Sequence, residues 1–255
     1  MYQDTPQVAA VAQPADFSEE ELRSKVRALF PALASLAGAL DHTLLKPEAT
    51  KAQVLALAGE AGEHGFACAM VNPAWVPTVY RALAGTGVRV GTVLGFPLGA
   101  SLSETKRAEA RATAAAGALD LDMVLNVGAL RSGMFEEVLE EIRGVAEIAH
   151  GEGAILKVIL ETSLLDDTQK RAAAELCLEA NVDFVKTSTG FSTGGATVED
   201  VALLRQTVGN RCGVKASGGI RTLSDAARLV SAGANRIGAS ASVAILEAYN
   251  ALYSV

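Results

Sequence analysis

Residues 182–190 read VDFVKTSTG, and this stretch indicates the fold most directly. Its first four residues are typical of a buried strand, and they lead into a lysine, hydroxyl side chains and a glycine. Two similar apolar runs carry Lys157 and Lys215, each 29 residues from Lys186. A spacing of this size holds one strand and one helix, which indicates repeated parallel strand–helix units.

The same alternation of short apolar runs and longer helical stretches extends through most of the chain. Helical stretches rich in Ala, Leu, Glu and Arg cover, for example, 52–63, 103–116, 135–150, 168–180 and 224–232. Eight strand–helix units of roughly 25 to 30 residues predict an α/β fold, a closed (β/α)₈ or TIM barrel, with a doubly wound parallel sheet as the alternative. The eight strand candidates are 37–42, 67–72, 88–95, 121–126, 154–161, 182–187, 211–216 and 235–240.

The N-terminal part of the chain lies outside these units. Residues 1–16 show no periodicity and are interpreted as a mobile tail. A short helix follows, which Asp16 or Ser18 can cap and which Pro31 ends. We therefore predict a tail and helix over 1–35 and one catalytic barrel domain over 36–255.

Composition and charge narrow the class of protein. The chain has 255 residues, and its 22 Lys and Arg against 29 Asp and Glu give a net charge of −7, which argues against nucleic-acid binding. Cys68, Cys177 and Cys212 form no C-x-x-C pair, so neither a disulfide framework nor a zinc site is indicated. The sequence shows no signal-like N-terminus and no apolar run of membrane-spanning length. We expect a cytoplasmic protein with no metal, no membrane and no nucleic-acid partner.

Alternation along the strand candidates places charged side chains on the inner side of the predicted barrel. In the fourth candidate the apolar residues alternate with Asp122, and in the fifth they alternate with Lys157 and Glu161, so these side chains point inward. Placing the valines of the next two candidates against helices sends Lys186 and Lys215 inward as well.

The three inward lysines indicate chemistry. One lysine near a strand end is usually ion-paired or extends to solvent, but several in one dry pocket destabilise a fold unless they are paired. Burial and nearby like charge lower the pKa of a lysine, and its neutral amine adds to carbonyl groups. The resulting imine accepts electrons when an adjacent carbon–carbon bond breaks. Asp122, beside these lysines, can shuttle protons through a water.

Glycine-rich turns follow the last three strand candidates. Residues 216–221 read ASGGIR, residues 238–240 read GAS, and residues 187–190 read TSTG. In barrels, the loops after the seventh and eighth strands commonly bind phosphate through backbone N–H groups and a helix N-terminus. A local pocket would thus let an acidic chain bind a phosphorylated substrate.

Six motifs carry a resemblance to a known family: DHTLLKP (41–47), VNP (71–73), GFPLG (95–99), DMVLNVG (122–128), VKTSTGF (185–191) and VKASGGIR (214–221). Over about residues 36–250 the chain resembles the deoxyribose-phosphate aldolase family. The resemblance implies a class I (Schiff-base) aldolase, a lyase without cofactor or metal, that belongs to carbohydrate catabolism. Such enzymes reversibly cleave 2-deoxy-D-ribose 5-phosphate to acetaldehyde and D-glyceraldehyde 3-phosphate, and their barrels tend to form homodimers.

The resemblance also implies roles for single residues. Lys186 corresponds to the lysine that forms the Schiff base, Lys215 to a second lysine that perturbs it and helps to transfer protons, and Asp122 to their acid/base partner. Lys157 and Asp41 correspond to supporting residues. The implied substrate- and phosphate-binding residues are Thr189, Gly190, Gly218, Gly219, Gly238 and Ser240.

A few positions depart from the family pattern or stay open. Leu119-Asp120 stands where the family usually has an acidic pair before the strand, and Met70 stands where many members have Cys; both are expected to flank the site without carrying the chemistry. Ala241 stands where some members have a second serine, so one phosphate hydrogen bond is expected to be missing. His42 is interpreted either as catalytic or as a hydrogen-bonded residue at the barrel mouth.

Two other functions stay open at this point. One is a class I aldolase for a related aldehyde or sugar phosphate. The other is a non-catalytic barrel that binds a phosphorylated sugar without forming an imine; the complete set of Lys186, Lys215 and Asp122 argues against it.

Overall fold

A computed structural model describes residues 17–253 of the chain. Its eight strands pair in parallel with their sequence neighbours, and the last pairs with the first, so the sheet is a closed barrel in chain order. The predicted (β/α)₈ barrel is thereby confirmed, and the doubly wound sheet is excluded. The strands are β1 (Leu40–Leu44), β2 (Cys68–Val71), β3 (Arg89–Leu94), β4 (Asp120–Val124), β5 (Ile155–Ile159), β6 (Phe184–Lys186), β7 (Gly213–Ser217) and β8 (Arg236–Ala239).

Helices follow each strand and cover the outside of the barrel. Two 3-10 turns, Pro73–Trp75 and Thr162–Leu164, lie in the connections after β2 and β5. The helices are α1 (Glu19–Leu29), α2 (Leu33–Ala37), α3 (Lys51–His64), α4 (Val76–Ala82), α5 (Ser103–Ala115), α6 (Val127–Arg131), α7 (Phe135–Gly151), α8 (Asp167–Glu179), α9 (Val198–Val208), α10 (Leu223–Ser231) and α11 (Ser242–Tyr253).

The helix before the barrel begins and ends as its sequence predicts. Ser18 caps α1 and forms a capping box with Glu21, and the helix ends at Leu29 before Pro31. The Tyr249 hydroxyl in α11 donates a hydrogen bond to the carbonyl of Phe30 at 2.9 Å, so the segment packs on the barrel. The predicted mobile tail at 1–16 lies outside the described residues, and the division at residue 35 stays a prediction.

Two layers of side chains surround the strands. Outward residues such as Leu121, Met123 and Val158 are buried against the helices and form the main hydrophobic core. Inside the barrel, Leu45, Cys68, Met70 and Val93 form a small apolar cluster, while β1 and β4–β7 contribute buried charged side chains. The interior therefore contains both an apolar cluster and a set of buried charged side chains.

No helix within residues 17–253 is long and apolar enough to cross a membrane.

Candidate active site

The inward lysines and Asp122 meet inside the barrel, as the alternation of the strands predicts. Asp122 of β4 pairs in register with Lys157 of β5, and Lys186 of β6 pairs with Lys215 of β7. All four side chains are buried, with Lys186 3% exposed at the end of its strand.

Asp122 is the centre of this cluster. Its Oδ2 accepts hydrogen bonds from Lys186 Nζ at 2.7 Å and from Lys215 Nζ at 2.6 Å. Its Oδ1 accepts a third from Lys157 Nζ at 3.1 Å. One carboxylate thus bridges three lysines, and a single oxygen links Lys186 to Lys215.

A second carboxylate, Asp41 of β1, holds the far side of the cluster. Its Oδ2 lies 2.6 Å from Lys215 Nζ and 3.8 Å from Lys157 Nζ. Its Oδ1 accepts a hydrogen bond from Arg236 Nη1 at 2.7 Å. Asp41 therefore lies beside Lys215 and Lys157, a position consistent with the supporting role that the sequence predicts for it.

Asp120 lies inside the barrel, whereas its sequence position predicts a residue that flanks the site before the fourth strand. It is the first residue of β4 and lies fully buried inside the barrel. Its carboxylate binds Lys157 and Arg89, and Arg236 lies 3.9 Å away. Asp120, Arg89 and Arg236 were missed as members of the site.

The number of carboxylates around each lysine differs. Lys157 lies within ion-pair distance of three carboxylates, Lys215 of two, and Lys186 only of Asp122 among the described residues. The network as a whole holds five cationic side chains against three carboxylates. The least compensated ammonium group is therefore that of Lys186, and it loses its proton most readily.

The pKa values follow this order. Burial, reinforced by the neighbouring charges of Lys215 and Lys157 and opposed by Asp122, lowers the pKa of Lys186 to about 8. Burial also opposes the charge of Lys215, but Asp122 and Asp41 outweigh it and raise the pKa of Lys215. The same balance raises the pKa of Lys157. At neutral pH Lys186 is thus the lysine with an appreciable neutral, nucleophilic fraction.

Asp122 and Asp41 stay ionised. Burial acts against the charge of Asp122, but the three lysines outweigh it and hold the pKa of this carboxyl well below its usual range. Asp41 shows the same balance, and its pKa is lowered to about 2 by Lys215, Lys157 and Arg236.

The glycine turns after β6 and β7 pack directly on each other. Gly190, Gly218 and Gly219 have φ angles of 82°, 91° and 79°, a region that favours glycine. A methyl group on Gly195 would overlap the carbonyl oxygen of Gly218, which accepts a hydrogen bond from Ala196 N–H at 3.0 Å. The two loops therefore form one surface at the carboxyl ends of the strands.

Three further predicted residues occupy different places. Gly238 lies within β8, where a Cβ atom would come 3.0 Å from Lys215 Cε, so its lack of a side chain makes room for that lysine. Ser240 is exposed in the connection to α11. Thr189 donates both its N–H and its hydroxyl to Glu161, so in this arrangement neither is available to a phosphate.

His42 lies outside the site. Its Nε2 is 2.7 Å from a carboxylate oxygen of Glu60 on α3, and its ring packs 5.0 Å from that of Phe66. Because Asp41 faces the barrel interior, the next residue faces the helices. The structure therefore supports the hydrogen-bonded interpretation, although His42 packs on α3 and not at the barrel mouth.

Within residues 17–253, one group of metal-ligating side chains comes together: Asp41, Cys68 and Asp120. Both carboxylates already bind lysine or arginine side chains. Burial and the nearby carboxylates raise the pKa of the Cys68 thiol well above its usual range, which keeps it protonated. The donors are thus poorly suited to a metal ion.

Comparisons with known proteins show which family this chain is similar to. Residues 35–248 match the family described as DeoC/LacD family aldolase. The chain is 54% identical to a deoxyribose-phosphate aldolase of Bacillus mycoides (strain KBAB4) over 212 residues, which cover 83% of this chain and 95% of that one. It is 52% identical to a deoxyribose-phosphate aldolase of Geobacillus sp. (strain WCH70) over 213 residues, 84% of this chain and 95% of the relative. The solved tetrameric deoxyribose phosphate aldolase from Aeropyrum pernix superposes with a TM-score of 0.84 at 37% identity, covering 92% of this chain and 99% of that chain.

Proposed function

This chain belongs to the DeoC/LacD family of aldolases, and we propose that it is a class I aldolase that cleaves 2-deoxy-D-ribose 5-phosphate reversibly to acetaldehyde and D-glyceraldehyde 3-phosphate. One observation carries the proposal: among residues 17–253 Lys186 has one carboxylate partner, and its pKa is about 8 beside two lysines that remain charged. The relatives named above bear this activity in their names.

In the proposed reaction the neutral Lys186 amine adds to the C1 aldehyde of the open-chain sugar. Loss of water gives an imine, which is protonated on nitrogen. Removal of the proton from the C3 hydroxyl then breaks the C2–C3 bond, whose electron pair passes into the imine and leaves an enamine. Glyceraldehyde 3-phosphate departs as the aldehyde formed at C3. Protonation of the enamine carbon and hydrolysis of the new imine release acetaldehyde and restore Lys186.

Asp122 and Lys215 are the groups that move protons in this proposal. The 2.7 Å and 2.6 Å contacts of one Asp122 oxygen connect the amine of Lys186 with the ammonium of Lys215. Asp41 keeps Lys215 charged, so Lys215 can give a proton and recover it. Lys157 supports them by balancing the charge of Asp122 and Asp120.

The phosphate end of the substrate is proposed to bind at the turns after β6, β7 and β8. Gly190, Gly218 and Gly219 supply backbone there without side chains, and Ser240 lies just before the first turn of α11. Helix N-termini and glycine turns bind phosphate through their N–H groups. The excess of positive charge in the barrel interior favours an anion at its mouth.

The proposal extends to the metabolic role, the location and the assembly of the protein. We propose a role in carbohydrate catabolism, a cytoplasmic location and a homo-oligomeric, dimeric assembly. The three cysteines are free and buried, as is usual for proteins of a reducing compartment. Sedimentation of the purified protein tests the assembly, and the Aeropyrum pernix relative makes a tetramer the alternative outcome.

Trapping of the imine tests the proposed chemistry. The protein is incubated with acetaldehyde and borohydride, digested and analysed by mass spectrometry. We expect a reduced two-carbon adduct on Lys186 alone, none in Lys186→Leu, and an unchanged yield in the matched control Lys51→Leu, since Lys51 is exposed on α3. An adduct on another lysine, or none in the unaltered protein, would refute the proposal.

A further inference from the structure

Glu161 is a buried carboxylate at the barrel mouth that the proposed reaction does not use. It follows β5, is 3% exposed and has a φ angle of 55°, which is unfavourable for a residue with a side chain. Hydrogen bonds hold the chain on both sides of it, from Leu160 N–H to the carbonyl of Lys186 at 2.9 Å and from Thr162 N–H to that of Thr187 at 3.0 Å. The backbone is thus held in a strained conformation directly beside the end of β6.

The carboxylate of Glu161 organises the loop after β6. Its Oε2 accepts hydrogen bonds from both the N–H of Thr189, at 3.2 Å, and the Thr189 hydroxyl. The same hydroxyl accepts a hydrogen bond from Phe191 N–H at 3.0 Å. The loop from Thr189 to Phe191 is therefore fixed by one carboxylate oxygen.

This loop connects two parts of the mouth. On one side, a Cβ atom on Gly190 would lie 3.8 Å from the Cα of Gly218 in the turn after β7. On the other side, the Phe191 ring meets the edge of the Phe96 ring at 5.2 Å and borders a cavity of about 130 Å³. A shift of Thr189 would therefore move the surface on which the phosphate is proposed to bind.

Two features distinguish Glu161 from a simple structural clamp. Its second oxygen, Oε1, is buried and accepts no hydrogen bond from any residue that the structure describes. A buried carboxylate with an unpaired oxygen lowers stability, and a glutamine oxygen would satisfy Thr189 without a charge. Furthermore, within residues 17–253 Gly190 N–H donates to no acceptor, which leaves it available at an exposed turn.

We propose that Glu161 is a positioning residue for phosphate recognition: it binds Thr189 and so holds the Gly190 turn against the Gly218–Gly219 turn. The inference rests on the proposed function, because it assumes a phosphorylated substrate. Glu161 then acts on binding of the phosphate end and not on formation of the imine at Lys186.

The test compares a phosphorylated with an unphosphorylated substrate. Steady-state cleavage of 2-deoxyribose 5-phosphate and of 2-deoxyribose is measured for Glu161→Ala, Glu161→Gln, Thr189→Val and their Ala/Val combination. We expect Glu161→Ala to raise KM for the phosphorylated sugar about tenfold, because the one or two charge-assisted hydrogen bonds that hold Thr189 are lost. The change in kcat should be much smaller. The double variant should have a KM for the phosphorylated sugar no higher than that of the single variant with the higher KM, because both substitutions break the same contact. Glu161→Gln should retain part of the binding.

Matched measurements separate this inference from the proposed function. Glu175→Gln, an exposed substitution on α8, should leave both substrates unaffected. Equal losses on both sugars in Glu161→Ala, or a lower KM for the phosphorylated sugar in Glu161→Gln, would overturn the positioning role. Should Glu161→Ala fail to fold, Thr189→Val and Glu161→Gln carry the comparison. Failure of the proposed function appears instead in the unaltered protein, as no imine with acetaldehyde.

Discussion

Replacement of Lys215 by Met should raise the pKa of Lys186 and shift the enzyme to alkaline pH. Both Nζ atoms contact the same Asp122 oxygen, at 2.6 Å and 2.7 Å, so the two ammonium groups are close neighbours. At a separation of about 5 Å and an effective dielectric constant of about 20, two unit charges repel each other by about 3 kcal/mol, which corresponds to about 2 pKa units. Without Lys215, the Asp122 oxygen that both lysines share also stabilises the charged form of Lys186 more strongly, which raises its pKa further.

The consequence for the nucleophile follows from these values. With a pKa of about 8, roughly a tenth of Lys186 is neutral at pH 7. A rise of about 2 units lowers that fraction about a hundredfold, and the rate of imine formation should fall by a similar factor. The fold should survive the change, because Asp41 keeps Arg236 and Asp122 keeps Lys186 and Lys157.

The assay is the rate of borohydride-trapped imine formation with acetaldehyde between about pH 6 and about pH 11.5, a range that extends beyond both pKa values. The unaltered protein should reach half its maximal rate near pH 8 and Lys215→Met should reach half of its own, lower maximum near pH 10, because Lys215 also transfers protons. Lys51→Met serves as the control. An unchanged midpoint in Lys215→Met would show that Lys215 does not set the pKa of Lys186.

Three other substitutions test further contacts. Asp41→Asn should lower the free energy of unfolding at neutral pH and make it depend less on pH under acid conditions. Because the pKa of Asp41 is lowered in the folded protein, its ionised form stabilises the fold above about pH 4, and this stabilisation is lost as the pH falls towards about 2. Acid titration followed by circular dichroism measures the difference. Gly195→Ala should push apart the turns after β6 and β7, and raise KM for the phosphorylated sugar at least tenfold more than for 2-deoxyribose, about 1.4 kcal/mol. Gly238→Ala should displace Lys215 Cε and should therefore slow trapping of the imine with acetaldehyde about tenfold. KM for the phosphorylated sugar should change little.

The barrel was predictable because parallel strands in its wall are apolar and stand out between helical stretches. Alternation then placed Asp122, Lys157 and Lys186 inside, and the structure confirms that they face each other. The regular spacing of the lysines reflects successive strand–helix units of similar length. Local sequence was sufficient for these features, since each depends only on residues within one unit.

The missed members of the site share one property. Arg89, Asp120 and Arg236 are the first residues of β3, β4 and β8. The candidate 121–126 begins one residue after Asp120 and so leaves it outside the barrel. The candidates 88–95 and 235–240 do include Arg89 and Arg236, but a single charged residue near a strand end usually extends to solvent or is ion-paired. Extending the alternation back by one step from Asp122 would have placed Asp120 inside.

The order of the lysine pKa values was beyond the sequence for a different reason. Asp41 on β1 and Asp120 on β4 decide which lysines stay charged, and β1 is distant from β5–β7 in the chain. Closure of the barrel brings them together across its interior. A count of carboxylates around each lysine is therefore a property of the closed sheet and not of any motif.

The same count explains how an acidic chain can receive an anionic substrate. Five of its 22 Lys and Arg and three of its 29 Asp and Glu form the interior network, which leaves 17 against 26 elsewhere. The rest of the chain is thus more acidic than the total indicates, while this network carries an excess of two positive charges when all its groups are ionised. Loss of a proton from Lys186 reduces the excess to one, since the other four cations have carboxylates that hold their charge. The chemical step therefore needs only the least compensated lysine to be neutral, and the remaining positive charge stays in the barrel below the turns where the phosphate is proposed to bind.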